Sequence, residues 1–131
     1  MTDTTTLRWA TPADLDGLYD VCLRTGDAGH DATGLLHDGS LYGHLYAAQY
    51  LRFEPACALV ADIDGAVTGY ALGAVDTAAF ESRLEAEWWP ALRERYPLPG
   101  HGTDLDRRLI AQLHRPALTP TELTTRYPSH L

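Results

Sequence analysis

The segment Ala58-Leu-Val-Ala-Asp-Ile-Asp-Gly-Ala-Val-Thr-Gly-Tyr-Ala-Leu-Gly73 leaves the chain little choice of fold. Two apolar runs flank a cluster of turn residues, which is the pattern of a β-hairpin. The first strand is expected over about Cys57 to Ala61 and the second over about Val67 to Val75. Asp62-Ile63-Asp64-Gly65 supplies the turn. An Asp side chain bonds its own backbone there, and Gly65 reaches positive φ without a Cβ clash. The second strand is apolar nearly throughout, and a strand of that composition is covered on both faces. Helices are therefore expected above and below the hairpin.

The rest of the chain supplies helical material. Leu7-Arg8-Trp9 alternates and reads as a first strand. Thr11-Pro12-Ala13-Asp14 carries a helix start, with a cap at Thr11, Pro in the first turn and an acid three residues on. Leu15, Leu18, Tyr19 and Cys22 form its apolar stripe, and Gly26 ends it. A polar, Gly-rich loop from Thr25 to Gly34 follows. Ser40 caps a second helix expected to run to about Arg52, with Leu41, Leu45 and Ala48 on its buried side, and Pro55 closes it. Asp76-Thr77 caps a third helix with Phe80, Leu84 and Trp88 inward, and Pro90 opens a fresh turn after it. Thr103 with Asp106 makes a further capping box, ahead of Leu105, Leu109, Ile110 and Leu113. Thr119-Pro120-Thr121-Glu122 starts a last short helix to about Arg126. Pro128-Ser-His-Leu131 reads as the approach to another strand.

At 131 residues, with 45% hydrophobic and 21% charged, the chain fits one folded domain over its whole length. Its formal net charge of −8 and its lack of any basic cluster argue against nucleic acid as a partner. No apolar run approaches membrane-spanning length, and the first six residues lack the features of a leader peptide, so a cytoplasmic protein with no membrane partner is expected. Every basic residue is Arg. Chemistry that needs a Lys, such as a Schiff base, is excluded. Cys22 and Cys57 read as small buried residues and not as a disulfide or metal pair.

Several residues invite a chemical reading. His30-Asp31 and His37-Asp38 lie seven apart with His44 a further seven on, which is ligand-type chemistry. They cluster in one loop, which favours plain loop polarity over a metal hydrolase, and no metal site is assigned. Glu81, Glu85 and Glu87 resemble a carboxylate cluster but read as a solvated helix face. Of the adjacent Trp88 and Trp89, one is expected in the core and one at a rim. No phosphate loop, nucleophile elbow or C-x-x-C motif occurs.

The order strand, helix, Gly-rich loop, helix, hairpin, helix resembles the N-terminal half of the GNAT acetyltransferase superfamily. Leu7 to Leu15 resembles that family's first strand and helix start, and Val60 to Gly73 its second and third strands. Cys22 to Gly29, Phe80 to Pro90 and Tyr127 to Leu131 are similar to bacterial acetyltransferases akin to the C-terminal acetyltransferase-like domain of O-GlcNAcases. The resemblance implies an α/β (α+β) fold with a mixed, mainly antiparallel sheet flanked by helices, reaching no further than the third strand. It implies an acetyl-CoA-dependent N-acetyltransferase acting on a small-molecule or peptide amine. The family's diphosphate loop, Q/R-x-x-G-x-G/A, falls beyond Leu131, so catalytic and cofactor-binding residues are not assigned and the isolated chain is expected to be inactive. The resemblance also implies a parent protein of roughly 200 residues, or a second chain or dimer partner that completes the sheet. On the acceptor side it points to Asp27, His30 and Asp31 as contacts for a cationic amine, and to Tyr70 as a residue facing the cleft. The alternative is a non-catalytic acetyltransferase-like interaction module.

Overall fold

Three antiparallel strands, β1 (Thr5–Trp9), β2 (Ala58–Ile63) and β3 (Ala66–Leu72), form one sheet in the order β1-β2-β3. The computed structural model describes residues 4–131. The reading of the first residues as lacking a leader falls in part on Met1–Asp3, which lie outside the described residues. The hairpin turn is tighter than the sequence suggested. Ile63 pairs with Ala66, so the loop is Asp64-Gly65 alone, both at positive φ (51° and 87°). That is the two-residue turn whose twist matches paired strands, and Gly65 supplies the second left-handed position at no steric cost. Asp62, expected in the turn, instead ends in the ladder and accepts the Gly65 amide at 2.7 Å.

Among the described residues there are seven helices, α1 (Leu15–Arg24), α2 (Leu41–Tyr46), α3 (Ala48–Phe53), α4 (Thr77–Glu87), α5 (Trp89–Arg95), α6 (Asp104–His114) and α7 (Thr121–Arg126). A 3₁₀ turn, Pro12–Asp14, leads into α1. Arg8 on β1 bonds Asp14 (2.8 Å) and Asp62 (3.0 Å), which ties the helix entrance to both neighbouring strands. The expected helix from Ser40 to Arg52 is two helices, broken at Ala47 (φ −135°, ψ −56°). No Pro or Gly marks the break. It redirects the apolar stripe: Leu41 and Leu45 face a helical core with Phe80, Trp89 and Ile110, whereas Ala47 and Leu51 face the sheet with Leu18 and Val60. The two tryptophans exchange their expected places. Trp89 is buried, and Trp88 is half-buried with its indole N–H on the His44 carbonyl (3.0 Å). Leu15, expected in the stripe of α1, is exposed.

Cross-strand partners share a sheet face, so the ladder register sorts the strands. Val60 and Tyr70, with Ala58 and Leu72, lie under α1 and α3. Trp9 aligns with Leu59 and Ala71, and Leu7 with Ala61 and Gly69, on the opposite face. Among the described residues nothing buries that second face: Leu7 is 74% exposed and Trp9 60%. The expectation that β3 is covered on both sides is therefore corrected. Its apolar composition reflects one face under helices and one left open. The mixed, antiparallel α+β arrangement itself is the one the sequence implied.

Candidate functional site

Asp76 caps α4 by accepting the Ala79 amide at 3.0 Å, which sets the pitch of the first turn. That turn places Thr77 inward and Glu81 one turn above it on the same side. The C-terminal segment folds back against this helix. Ala74 and His130 exchange two backbone hydrogen bonds (3.0 Å each), and the Thr77 amide donates to the Pro128 carbonyl (2.6 Å). The strand-like ending expected of Pro128–Leu131 is thus present as an isolated antiparallel bridge at the end of β3.

The bridge delivers the His130 ring between two hydroxyls. Its Nε2 meets Tyr50 Oη and its Nδ1 meets Thr77 Oγ1, each at 2.7 Å. A neutral imidazole satisfies both, one nitrogen donating and the other accepting. The Tyr50 ring stacks on Phe80 (4.7 Å between centroids), and the imidazole lies edge-on to Tyr50. Burial, with a smaller contribution from the charge of Glu81, raises the Tyr50 hydroxyl above its ordinary value, so it stays protonated. As a catalytic set the trio lacks a carboxylate behind the imidazole and an oxyanion donor pair. It acts as a latch.

The latch closes one side of a cleft of about 300 Å³ between α2, α3, α4 and the C-terminal segment. Leu45, Phe80, Leu84 and Trp89 give it apolar walls. Gln49 also lines it and is 2% exposed. Its side-chain nitrogen donates to the Leu45 carbonyl, while Oε1 is buried with no partner. Glu81 stands on the wall, and both of its oxygens accept the Thr119 amide (3.1 and 3.0 Å). Glu85 and Glu87, by contrast, pair with Arg93 and Arg83 on the exposed side of the helix, as a solvated face should.

The residues singled out in the sequence sit elsewhere. Asp27 and His30 exchange backbone hydrogen bonds (3.0 and 2.8 Å) across the tip of the α1–α2 loop, with exposed side chains. The Asp31 carboxylate accepts the Thr33 amide and hydroxyl (2.9 and 2.5 Å), which holds it below its ordinary value. Tyr70 does not join them. It packs under α1, and burial followed by its contact with Cys22 raises its hydroxyl. The His-Asp series is dispersed too. Asp38 accepts from Ser40 and Tyr96, while buried His44 meets Tyr19 Oη through Nδ1 (2.7 Å). No three potential ligands converge on a metal position among the described residues. Both cysteines are free, with Cys22 buried and Cys57 half-buried.

Sequence reasoning passed over Gln49, Thr77 and His130. Gln49 was detectable as a polar residue between the apolar Ala48 and Tyr50, on the side that the helix break turns inward.

No protein-family model matches the chain. A solved structure titled SsHAT is similar to it, with 35% sequence identity and a TM-score of 0.85. The match covers 97% of this chain and 64% of SsHAT, so the chain spans about two thirds of the length of that protein. The fold described above is accordingly acetyltransferase-like.

Proposed function

We propose that the chain is the acceptor side of an N-acetyltransferase of the GNAT type, which moves an acetyl group from acetyl-CoA to an amine. The observation that carries this reading is the match to SsHAT, and with it an acetyltransferase-like fold, along nearly the whole chain. The end-of-β3 bridge at His130 supports it, because it brings the chain alongside the third strand as the resemblance implies. On this reading Asp27 and Asp31 on the α1–α2 loop present the acceptor amine with a shared negative field, and His30 is a further contact beside them. Tyr70 holds α1 against the sheet beneath that loop.

The described residues do not fit the diphosphate of acetyl-CoA. Such an anion is usually cradled by free backbone N–H groups at a helix N-terminus. Here the entrance to α1 is filled by Asp14, that of α4 by Asp76 and that of α6 by Asp106.

Incubating a form extended through the diphosphate loop that the resemblance implies with acetyl-CoA and a panel of primary amines, while following release of free thiol, tests the reading; the chain of 131 residues alone is expected to release none. Amine-dependent release is expected, with an acceptor KM that rises several-fold in Asp27→Asn and Asp31→Asn. No release from the folded extended form would leave the non-catalytic interaction module as the better account.

A further inference from the structure

We propose that a second cleft, between the start of α1, α3 and the α4–α5 junction, binds a small carboxylate with an aromatic body. The inference does not rest on acetyl transfer. Leu15 opens α1 and lines this cleft, whereas the loop with Asp27 and Asp31 follows the other end of the same helix. Ten residues of helix, about 15 Å, separate the two places.

The cleft has a volume of about 320 Å³, which suits a ligand of one ring and a short substituent. Pro12, Leu15, Tyr19, Leu51 and Trp88 wall it, and Arg52 is the one charged side chain among its lining residues. Two of the walls carry polar atoms, and both are already used inward. The Trp88 indole N–H donates to the His44 carbonyl (3.0 Å), and Tyr19 Oη meets His44 Nδ1 (2.7 Å). Trp88 is held further by Phe53, edge-on at 6.1 Å between centroids. These contacts fix both rings and leave their hydrocarbon surface to the cleft. A ligand therefore meets two aromatic rings and a single available polar group.

That group carries an uncompensated charge. Among the described residues Arg52 forms no ion pair, and its guanidinium lies over the Phe53 ring at 5.2 Å. Arg83 lies over the same ring at 4.6 Å but is engaged by Glu87 (2.9 Å). The pairing occupies the carboxylate next to Trp88, and none of the lining residues is acidic. A guanidinium offers a planar pair of donors and no acceptor, which a carboxylate matches with its two oxygens. An ammonium group would meet a like charge and no acceptor, and an alcohol gains no charge. The net charge of −8 repels anions at long range, but salt screens that repulsion beyond about 8 Å, and closer in Arg52 sets the sign.

Calorimetry on the protein without acetyl-CoA tests this with phenylacetate, cyclohexylacetate, 2-phenylethanol and phenethylammonium. Phenylacetate is expected to bind about tenfold or more tightly than 2-phenylethanol and phenethylammonium, the equivalent of one charge-assisted contact. It should also bind several-fold more tightly than cyclohexylacetate, which lacks the ring edge and face. Added salt should weaken phenylacetate and leave 2-phenylethanol unchanged. Arg52→Gln, at an exposed side chain, should abolish the advantage of phenylacetate in a folded protein. Arg126→Gln, an equal loss of charge outside the cleft, should leave it intact. Leu15→Ala, also exposed, should weaken all the aromatic ligands several-fold. Equal binding of 2-phenylethanol or cyclohexylacetate, an unchanged affinity in Arg52→Gln, an equal loss in Arg126→Gln, or no binding by folded protein would overturn the proposal. The readout is binding without cofactor, so its failure leaves the acetyl-transfer reading untouched, and the reverse also holds.

Discussion

At the scale of single residues, buried carboxylates hold more of this structure than any exposed ion pair. Asp106 is 1% exposed and accepts the amides of His37 (3.0 Å), Asp38 (3.0 Å) and Thr103 (2.8 Å), together with the Thr103 hydroxyl. Burial alone would raise its pKa, yet these donors hold the carboxyl well below the usual carboxylate range. Asp106→Ala strands three amides at the junction of α6 and the α1–α2 loop and should cost about 3 kcal/mol in chemical denaturation. Asp14 behaves alike: the Arg8 guanidinium lowers it to about 2. Both groups sit below their unfolded value of about 3.9, so their stabilisation is complete above that pH and is lost as pH falls toward the folded values. Stability should therefore drop between about pH 4 and pH 2, and Asp106→Asn should flatten that slope. An unchanged slope would assign acid unfolding to other groups. The capping box around Asp106 was legible in the sequence, since Thr-x-x-Asp is a local pattern. Its bonds to His37 and Asp38 were not, because they join residues almost seventy positions apart.

At the scale of elements, the crossing of α1 and α2 depends on one missing methyl group. A Cβ on Gly43 would lie 2.0 Å from Tyr19 Cδ1, well inside contact distance. Gly43→Ala must push Tyr19 away and with it the Tyr19–His44 hydrogen bond. Overpacking of this kind should cost about 2–3 kcal/mol, measured as a fall in the denaturation midpoint at constant m-value. The α1 stripe, the Asp76 cap and the Pro90 restart are all local and could be read from spacing. The break at Ala47 could not. It arises because two cores pull on opposite ends of one apolar stripe, and that competition has no sequence signature.

At the scale of the whole molecule, the sheet has a helix-covered face and an apolar open face. Leu7, Trp9, Leu59 and Ala71 lie side by side on the open one. Contiguous exposed apolar surface promotes association. Trp9→Glu, alone or with Leu7→Thr, should shift sedimentation toward the monomer and lower binding of an apolar dye. Stability should change by less than about 0.5 kcal/mol, since neither side chain is buried. Unaltered sedimentation would show that the face does not drive self-association. The sequence by itself determined the hairpin, the helix caps and the order of elements, because turn chemistry, capping and hydrophobic period act over a few residues. Only the tertiary structure decided which strand face stays open, where the second helix breaks, and that Gln49, Thr77, Glu81 and His130 share one cleft. Those outcomes depend on contacts between segments distant along the chain, and burial there is decided by the partner surface and not by the residue's own neighbours.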